Sequence, residues 1–189
     1  MLLAAVRTLA LSEAMGLLPE QTVEELAGPS FARVARAAGH AGIAPGAVAR
    51  VVAAMKRPDD AAGAIEALNR ALEASPLPRY EWRSLIGIFD VDELAGLLGV
   101  SVASARRYAA GSRDTPDDVA ARLHFLALVL SDLRGAYNGI GIRRWFRRTR
   151  AALDGRSPAG VLGSGWQPED DGAQHVRELA RALVFSPAT

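Results

Sequence analysis

The residues with the clearest chemistry lie in a short basic stretch near the middle of the chain. Ser101 and Ser104 are three residues apart, the adjacent Arg106 and Arg107 follow, and Arg113 comes soon after. A guanidinium group can donate two hydrogen bonds to guanine O6 and N7 or bind a phosphate, and a hydroxyl at a helix start can donate to a phosphate. The stretch therefore predicts a DNA-binding site formed by these five residues.

Each of these residues also has a simpler interpretation. Arg106 and Arg107 can belong to the solvated face of a helix, and Ser101 is more often a plain helix cap than a phosphate donor. Arg113 lies just beyond the predicted helix and suits a contact that positions the DNA backbone. The residue types alone leave these alternatives open.

Two short helices joined by a tight turn must position these side chains. The first helix has an apolar face formed by Leu94, Ala95 and Leu98. Gly99 can adopt the left-handed conformation that ends a helix, and Ser101 can cap a second helix that runs to Gly111. Small or apolar residues recur every three positions on its inward side: Val102, Ala105 and Tyr108. This is the layout of a helix-turn-helix, whose second helix enters the major groove.

Charge is unevenly distributed, although the whole chain of 189 residues carries a net charge of only +1. Between residues 101 and 156 there are eleven arginines and five aspartates, which is a local excess of six positive charges. Such an excess produces a field that attracts phosphate groups. It favours a polyanionic partner for this part of the chain.

Helical periodicity extends along nearly the whole chain, and alternating strand patterns are hard to find. We therefore predict an all-α fold, with a helical N-terminal region over 1–78, a helix-turn-helix and core helix over 79–137, and a further helical domain over 138–189. N-terminal helices are predicted over 2–17, 22–27, 31–38, 44–55 and 60–74. Two prolines in three residues, Pro76 and Pro78, mark the first boundary.

A long apolar helix is predicted from residue 115 to about residue 137. Thr115 suits the cap position and Pro116 the first helical position, followed by two aspartates that face the positive helix end. Apolar residues recur every three or four positions along it: Val119, Leu123, Leu126, Leu130 and Leu133. The pattern indicates a central core helix, with an oligomer seam as the alternative.

The segment after residue 142 resembles a known domain. It contains, in order, Ile142-Arg-Arg-Trp-Phe146, the element Leu153-x-Gly155-Arg-Ser-Pro158, and a helix that includes Gly172-Ala-Gln-His-Val176. This order is similar to the carboxy-terminal toxin-binding domain of the Xre/MbcA/ParS-like type II antitoxins, in which an Xre-like helix-turn-helix comes before that domain. The resemblance covers roughly residues 79 to 183.

The resemblance implies an antitoxin that binds a RES-domain toxin, an NAD-destroying enzyme, and that represses its own promoter. It implies a homodimer or a larger hetero-oligomer with the toxin, and no catalysis by the antitoxin itself. The toxin-binding residues that we assign on this basis are Arg143, Arg144, Arg147, Arg148, Arg156, Trp166 and Arg177. The arginines next to Trp145 also suit contacts with DNA or a solvated face.

Two other functions remain open. A solitary helix-turn-helix transcription regulator without a toxin is favoured by the N-terminal region of about eighty residues and by Thr149-Arg150, where such domains often have Pro-Asn. A helical adaptor that uses the two-helix unit only for protein contacts belongs to a different class.

Catalysis, metals and cofactors have little support in the sequence. The chain has no cysteine, and His40, His124 and His175 lie far apart without the spacing of a metal site. The acidic run at 169–171 is explained by its place before a helix. We expect no enzyme activity, no metal and no cofactor. We also expect a cytoplasmic protein, because the apolar start of the chain is interrupted by charges and no membrane-spanning window occurs.

Overall fold

The computed structural model describes residues 2–18, 28–43, 45–54, 58–163 and 165–185, and these ranges contain helices and no strand. The helices are α1 (Leu2–Ala14), α2 (Gly28–His40), α3 (Pro45–Ala54), α4 (Pro58–Glu73), α5 (Pro78–Ile86), α6 (Val91–Leu98), α7 (Val102–Ala109), α8 (Asp117–Arg134), α9 (Gly139–Arg147), the 3-10 helix η1 (Ala151–Leu153), α10 (Pro158–Val161) and α11 (Asp171–Phe185). The predicted all-α fold is confirmed. The predicted helix over 22–27 lies outside the described residues.

Helix α8 is the centre of the molecule. Its side chains are buried on every face from Val119 to Leu133, with Ala121 only half-buried. A helix that is apolar all round must be covered on all sides, and α1, α5, α6, α9 and α11 pack around this one. The prediction of a core helix is confirmed, because helices of the same chain cover the surface that an oligomer seam would need.

The predicted cap of α8 is wrong in one detail. Pro116 itself occupies the cap position, with no side-chain hydrogen bond to the helix start. The hydroxyl of Thr115 instead accepts a hydrogen bond from the indole nitrogen of Trp82, at 3.0 Å. A buried indole N–H needs a partner, and this contact with α5 supplies one.

The N-terminal helix α1 packs on both sides of the predicted boundary at residue 78. It contacts α4 before the boundary and α5 and α8 after it, and Asn69 of α4 donates a hydrogen bond to the carbonyl oxygen of Ala4, at 3.0 Å. After α1 the chain approaches α5 closely at Gly16, where a Cβ would lie 2.6 Å from the carbonyl oxygen of Tyr80. One continuous apolar core therefore includes residues from α1 to α11.

The C-terminal helices are anchored by two buried tryptophans. Trp145 and Phe146 of α9 are both buried. Trp166 is also buried, packs edge-to-face on Phe125 at 5.2 Å between ring centroids, and donates a hydrogen bond to the carbonyl oxygen of Leu97, at 2.7 Å. The loop before α11 is thereby tied to the end of α6.

Within the described ranges, no helix has both the length and the apolar character needed to cross a bilayer.

Replacing Trp166 with phenylalanine should destabilise the fold more than the same change at Trp145. Both rings are buried, but the Trp145 indole nitrogen has no hydrogen-bond partner among the described residues, whereas that of Trp166 donates to the Leu97 carbonyl, which the change leaves unpaired. Such a loss costs about 1–3 kcal/mol beyond the lost ring volume. Urea denaturation of both variants measures the difference, and equal losses would contradict the importance of this hydrogen bond.

Candidate functional site

The predicted DNA-binding residues lie on and beside α7, which follows α6 after a three-residue turn. Gly99 has a φ of 67°, a left-handed conformation that favours glycine, as predicted. The hydroxyl of Ser101 accepts a hydrogen bond from the backbone nitrogen of Ser104, at 3.2 Å, and so caps α7. The two-helix arrangement around residue 99 therefore forms as the sequence predicts.

Helix α7 has a buried and an exposed side. Ala105 and Tyr108 face inward, and the Tyr108 ring lies 6.1 Å from the Trp82 ring of α5. Arg106 and Arg107 are exposed on the other side. The packing against α5 thus sets which side of α7 is open to a partner.

The three arginines on and beside the exposed side of α7 make different contacts with the rest of the protein. The guanidinium of Arg106 lies 3.6 Å from the carboxylate of Asp92 on α6, and Arg113 lies over the Tyr108 ring at 5.6 Å. The guanidinium of Arg107 has no ion pair within the described part of the chain. Fully exposed ion pairs contribute little, because water and salt screen them. Arg106 can therefore leave Asp92 for a phosphate or a base at little cost.

Helix α9 carries a second basic surface. Arg144, Arg147 and Arg148 are exposed and Arg143 is half-buried. Arg147 donates a hydrogen bond to the carboxylate of Glu93 on α6, at 2.9 Å. The α9 surface thus adjoins α6, the helix that also carries Asp92.

The other predicted toxin-binding residues have different positions. Arg156 is exposed, whereas Trp166 is buried in the contacts described above. Arg177 is largely covered and lies 3.8 Å from the carboxylate of Glu73 and 3.9 Å from that of Asp132. Trp166 and Arg177 therefore serve internal contacts. We define the basic α9 surface as the remaining residues: Arg143, Arg144, Arg147, Arg148 and Arg156.

A cluster of charges from four helices was not foreseen from the sequence. Arg7 of α1 pairs with Glu73 of α4, and Arg177 and Arg181 of α11 flank Asp132 of α8. Burial raises the pKa of Asp132, although the two arginines of α11 lower it. Charged residues within an otherwise apolar helix were the signal available in the sequence. The cluster joins the N-terminal and C-terminal helices to α8.

A buried histidine and carboxylate form a second polar contact on α8. His124 Nδ1 lies 2.6 Å from Glu81 Oε1, and its Nε2 lies 2.9 Å from the carbonyl oxygen of Glu73. Burial raises the pKa of Glu81, against the hydrogen bond and charge of His124. Burial alone would lower the pKa of His124, but the hydrogen bond and charge of Glu81 outweigh it and raise that pKa. Both side chains lie in the core, where they connect α8 to α5 and α4.

The remaining histidines, His40 and His175, are exposed and lie on separate helices. Across the described ranges, no three His, Asp or Glu side chains are grouped so as to hold a metal ion.

Comparisons with protein-family models, curated proteins and solved structures found no match to this chain.

The His124–Glu81 pair should make stability depend on pH. Because its folded-state pKa is raised, His124 contributes stability that is complete below its ordinary pKa of 6.5 and is lost as the pH rises through the folded value. The pKa of Glu81 is also raised, so this group adds a further loss of folding stability with rising pH, which begins above its ordinary pKa of 4.5. Each unit by which a pKa is raised corresponds to about 1.4 kcal/mol.

Urea denaturation between about pH 5 and about pH 9 measures this effect. The free energy of unfolding should fall with rising pH in the unmodified protein, and Glu81→Gln should flatten the fall. His175→Gln, at an exposed histidine, is the control and should keep it. A Glu81→Gln variant with the original pH profile would show that the pair does not titrate as inferred.

Proposed function

We propose that the protein is a DNA-binding antitoxin of the type II class. In this proposal α6 and α7 act as a helix-turn-helix that binds the protein's own promoter, and the basic α9 surface binds and neutralises a RES-domain toxin that degrades NAD. The observation that carries the proposal is the exposed side of α7, where Arg106 and Arg107 stand opposite the buried Ala105 and Tyr108.

The dimensions of α7 suit the major groove. An α-helix with its side chains is about 10–12 Å across, close to the width of that groove in B-DNA, and the eight residues of α7 extend about 12 Å along it. A turn of three residues separates it from α6, as in DNA-binding helix-turn-helix units. Ser101 and Ser104 stand at its start, and their hydroxyl oxygens are 3.0 Å apart. They can donate to phosphates while the arginines reach base edges.

The protein binds DNA as a homodimer in this proposal. One helix of eight residues contacts too few base pairs for useful specificity. Two copies on half-sites spaced about one helical turn, roughly 34 Å, double the contacts and give the operator a two-fold symmetry.

The toxin-binding part of the proposal has two sources of support. The first is the resemblance to the antitoxins, whose central element is Leu153-x-Gly155-Arg-Ser-Pro158. In this element Asp154 and Gly155 have left-handed backbone conformations, with φ of 53° and 75°. Ser157 caps α10 by accepting a hydrogen bond from the Gly160 nitrogen, at 3.1 Å. The second is the α9 surface, where Ile140 is 62% exposed close to the exposed arginines Arg144 and Arg148. An apolar side chain among cations suits a partner with an acidic, partly apolar surface.

A solitary transcription regulator is the second candidate. The observation that favours it is the internal position of Trp166 and Arg177, which leaves a smaller partner surface than the sequence predicts. The presence of a bound enzyme distinguishes the antitoxin from the solitary regulator, because only the antitoxin neutralises one. A helical adaptor would bind its protein partner without any need for Arg106 and Arg107.

Removing the two exposed charges of α7 should strongly weaken promoter binding. For Arg106→Gln with Arg107→Gln, we expect the Kd for the DNA upstream of the gene to rise by about 30-fold or more, since each such contact contributes about 1–3 kcal/mol. The affinity should also depend less steeply on salt: the slope of its logarithm against the logarithm of salt concentration should fall by about one for each lost phosphate contact. Fluorescence anisotropy at several salt concentrations measures both effects.

The matched control is Arg33→Gln with Arg70→Gln, which removes two exposed arginines from α2 and α4 and changes the net charge equally. This control should bind DNA nearly as well as the unmodified protein. Equal losses in the two variants would indicate only a non-specific charge effect, and the two-helix unit would then not be the DNA-binding element.

Charge reversal on α9 should release the toxin. We expect the unmodified chain, co-expressed with the product of its neighbouring gene, to copurify with an NAD-consuming enzyme in fixed stoichiometry. Arg144→Glu with Arg148→Glu should lose this enzyme and permit NAD loss in the cells, whereas Arg33→Glu with Arg70→Glu should retain it. If the unmodified chain copurifies with no such enzyme but retains its upstream DNA, the protein is the solitary regulator.

A further inference from the structure

A cavity of about 950 Å³ lies at the end of α8 where α9 begins. It is formed by the end of α1, one side of α5, the end of α8 and the start of α9, and none of the residues assigned above to DNA or toxin lines it. Its volume is at the upper end of the range of about 300–1,000 Å³ that is usual for small-molecule sites. It is therefore large enough for a ligand of the size of a nucleotide.

The lining of this cavity is positively charged. It includes Arg79, Arg83 and Arg134 and one carboxylate, that of Glu13. Arg134 pairs with Glu13, so their charges balance. Arg79 and Arg83 have neither an ion pair nor a hydrogen bond from their side chains to other described residues. Two positive charges consequently face the cavity without compensation.

The spacing of the two uncompensated arginines suits an anion. Arg79 and Arg83 are four residues apart on α5, so their side chains emerge from the same side of the helix. Like charges at this spacing destabilise a helix, and an anion held between them removes that repulsion. A phosphate accepts parallel hydrogen bonds from guanidinium groups. In addition, Arg134 Nε is buried without a hydrogen-bond partner in the described part of the chain.

The rest of the lining is mixed: besides glycines and the polar Ser84 and Asn138, it contains apolar and aromatic residues. Leu17, Leu18 and Ile142 are buried, and Tyr80 and Tyr137 add their rings. These groups cannot recognise a bare inorganic ion, but they can cover the uncharged body of an organic ligand. A cavity with two arginines that have no ion pair among the described residues, and with a partly apolar lining, therefore suits a molecule that has one anionic end.

We propose that this cavity binds a phosphate-bearing small molecule, with its phosphate on Arg79 and Arg83 and its uncharged part against the apolar and aromatic residues of the lining. Arginines that follow a DNA backbone stand on an open surface, whereas these two open into a concavity, so the structure favours a small ligand over nucleic acid. The proposal does not depend on the proposed DNA-binding or antitoxin function.

Isothermal titration calorimetry of the full chain with pyrophosphate and with adenosine monophosphate tests the proposal. We expect saturable binding of both, with adenosine monophosphate tighter because its base covers apolar lining. Arg79→Gln with Arg83→Gln should weaken both by about tenfold or more, as expected for the loss of charge-assisted hydrogen bonds. Arg33→Gln with Arg70→Gln, the control of equal charge, should change either affinity by less than about twofold. Circular dichroism establishes that each variant is folded.

Three results would overturn the proposal. The first is the absence of saturable binding of both probes, and the second is an equal loss in the control variant. The third is a double variant, Arg79→Gln with Arg83→Gln, that binds adenosine monophosphate as well as the unmodified chain does but binds duplex DNA more weakly. That result would assign these arginines to a nucleic-acid surface. Ligand-dependent melting gives a second readout, since both probes should raise the Tm of the unmodified chain more than that of the double variant at the same concentration.

Discussion

The burial of α8 is the constraint on which the rest of the structure depends. Because this helix is enclosed on all sides, every polar group on it needs a partner from a neighbouring helix or from its own start. Glu81 of α5 meets His124, the α11 arginines meet Asp132, and Asp118 within α8 pairs with Arg122. Apolar packing alone would let the surrounding helices slide or rotate. These polar contacts instead favour one position for each neighbour, since a displaced helix would leave a buried charge unpaired.

The position of α5 then determines what α7 exposes. Glu81 holds α5 against α8, and the next residue, Trp82, contacts both Tyr108 of α7 and the Thr115 hydroxyl at the approach to α8. The exposed side of α7 is a consequence of this chain of contacts. The contact of Trp82 with Thr115 also explains why Thr115 does not cap α8. The buried indole N–H of Trp82 has the greater need for an acceptor, because the start of α8 is open to water.

The two basic surfaces meet at the start of α6. Asp92 pairs with Arg106 of α7, and the adjacent Glu93 pairs with Arg147 of α9. The Trp166 indole also binds the carbonyl oxygen of Leu97 at the other end of α6. Helix α6 is thus in direct contact with the proposed DNA-binding helix and with the elements assigned to the toxin. An anionic partner on either surface would compete with Asp92 or Glu93 for the paired arginine, and these two carboxylates are adjacent in the sequence.

The sequence by itself determined the local features: the all-α class, the end of α6 at Gly99, the Ser101 cap and the apolar face of α8. These depend on backbone preferences and on periodicity within a few residues, so neighbouring residues are enough to specify them. Only the tertiary structure decided the partners of side chains that are far apart in the sequence. Trp166 and Arg177 had the residue types of a binding surface, yet packing placed one in the core and the other in a charge cluster with Glu73 and Asp132. Likewise, the cavity beside Arg79 and Arg83 exists only because α1, α5, α8 and α9 come together, and no local pattern encodes that arrangement.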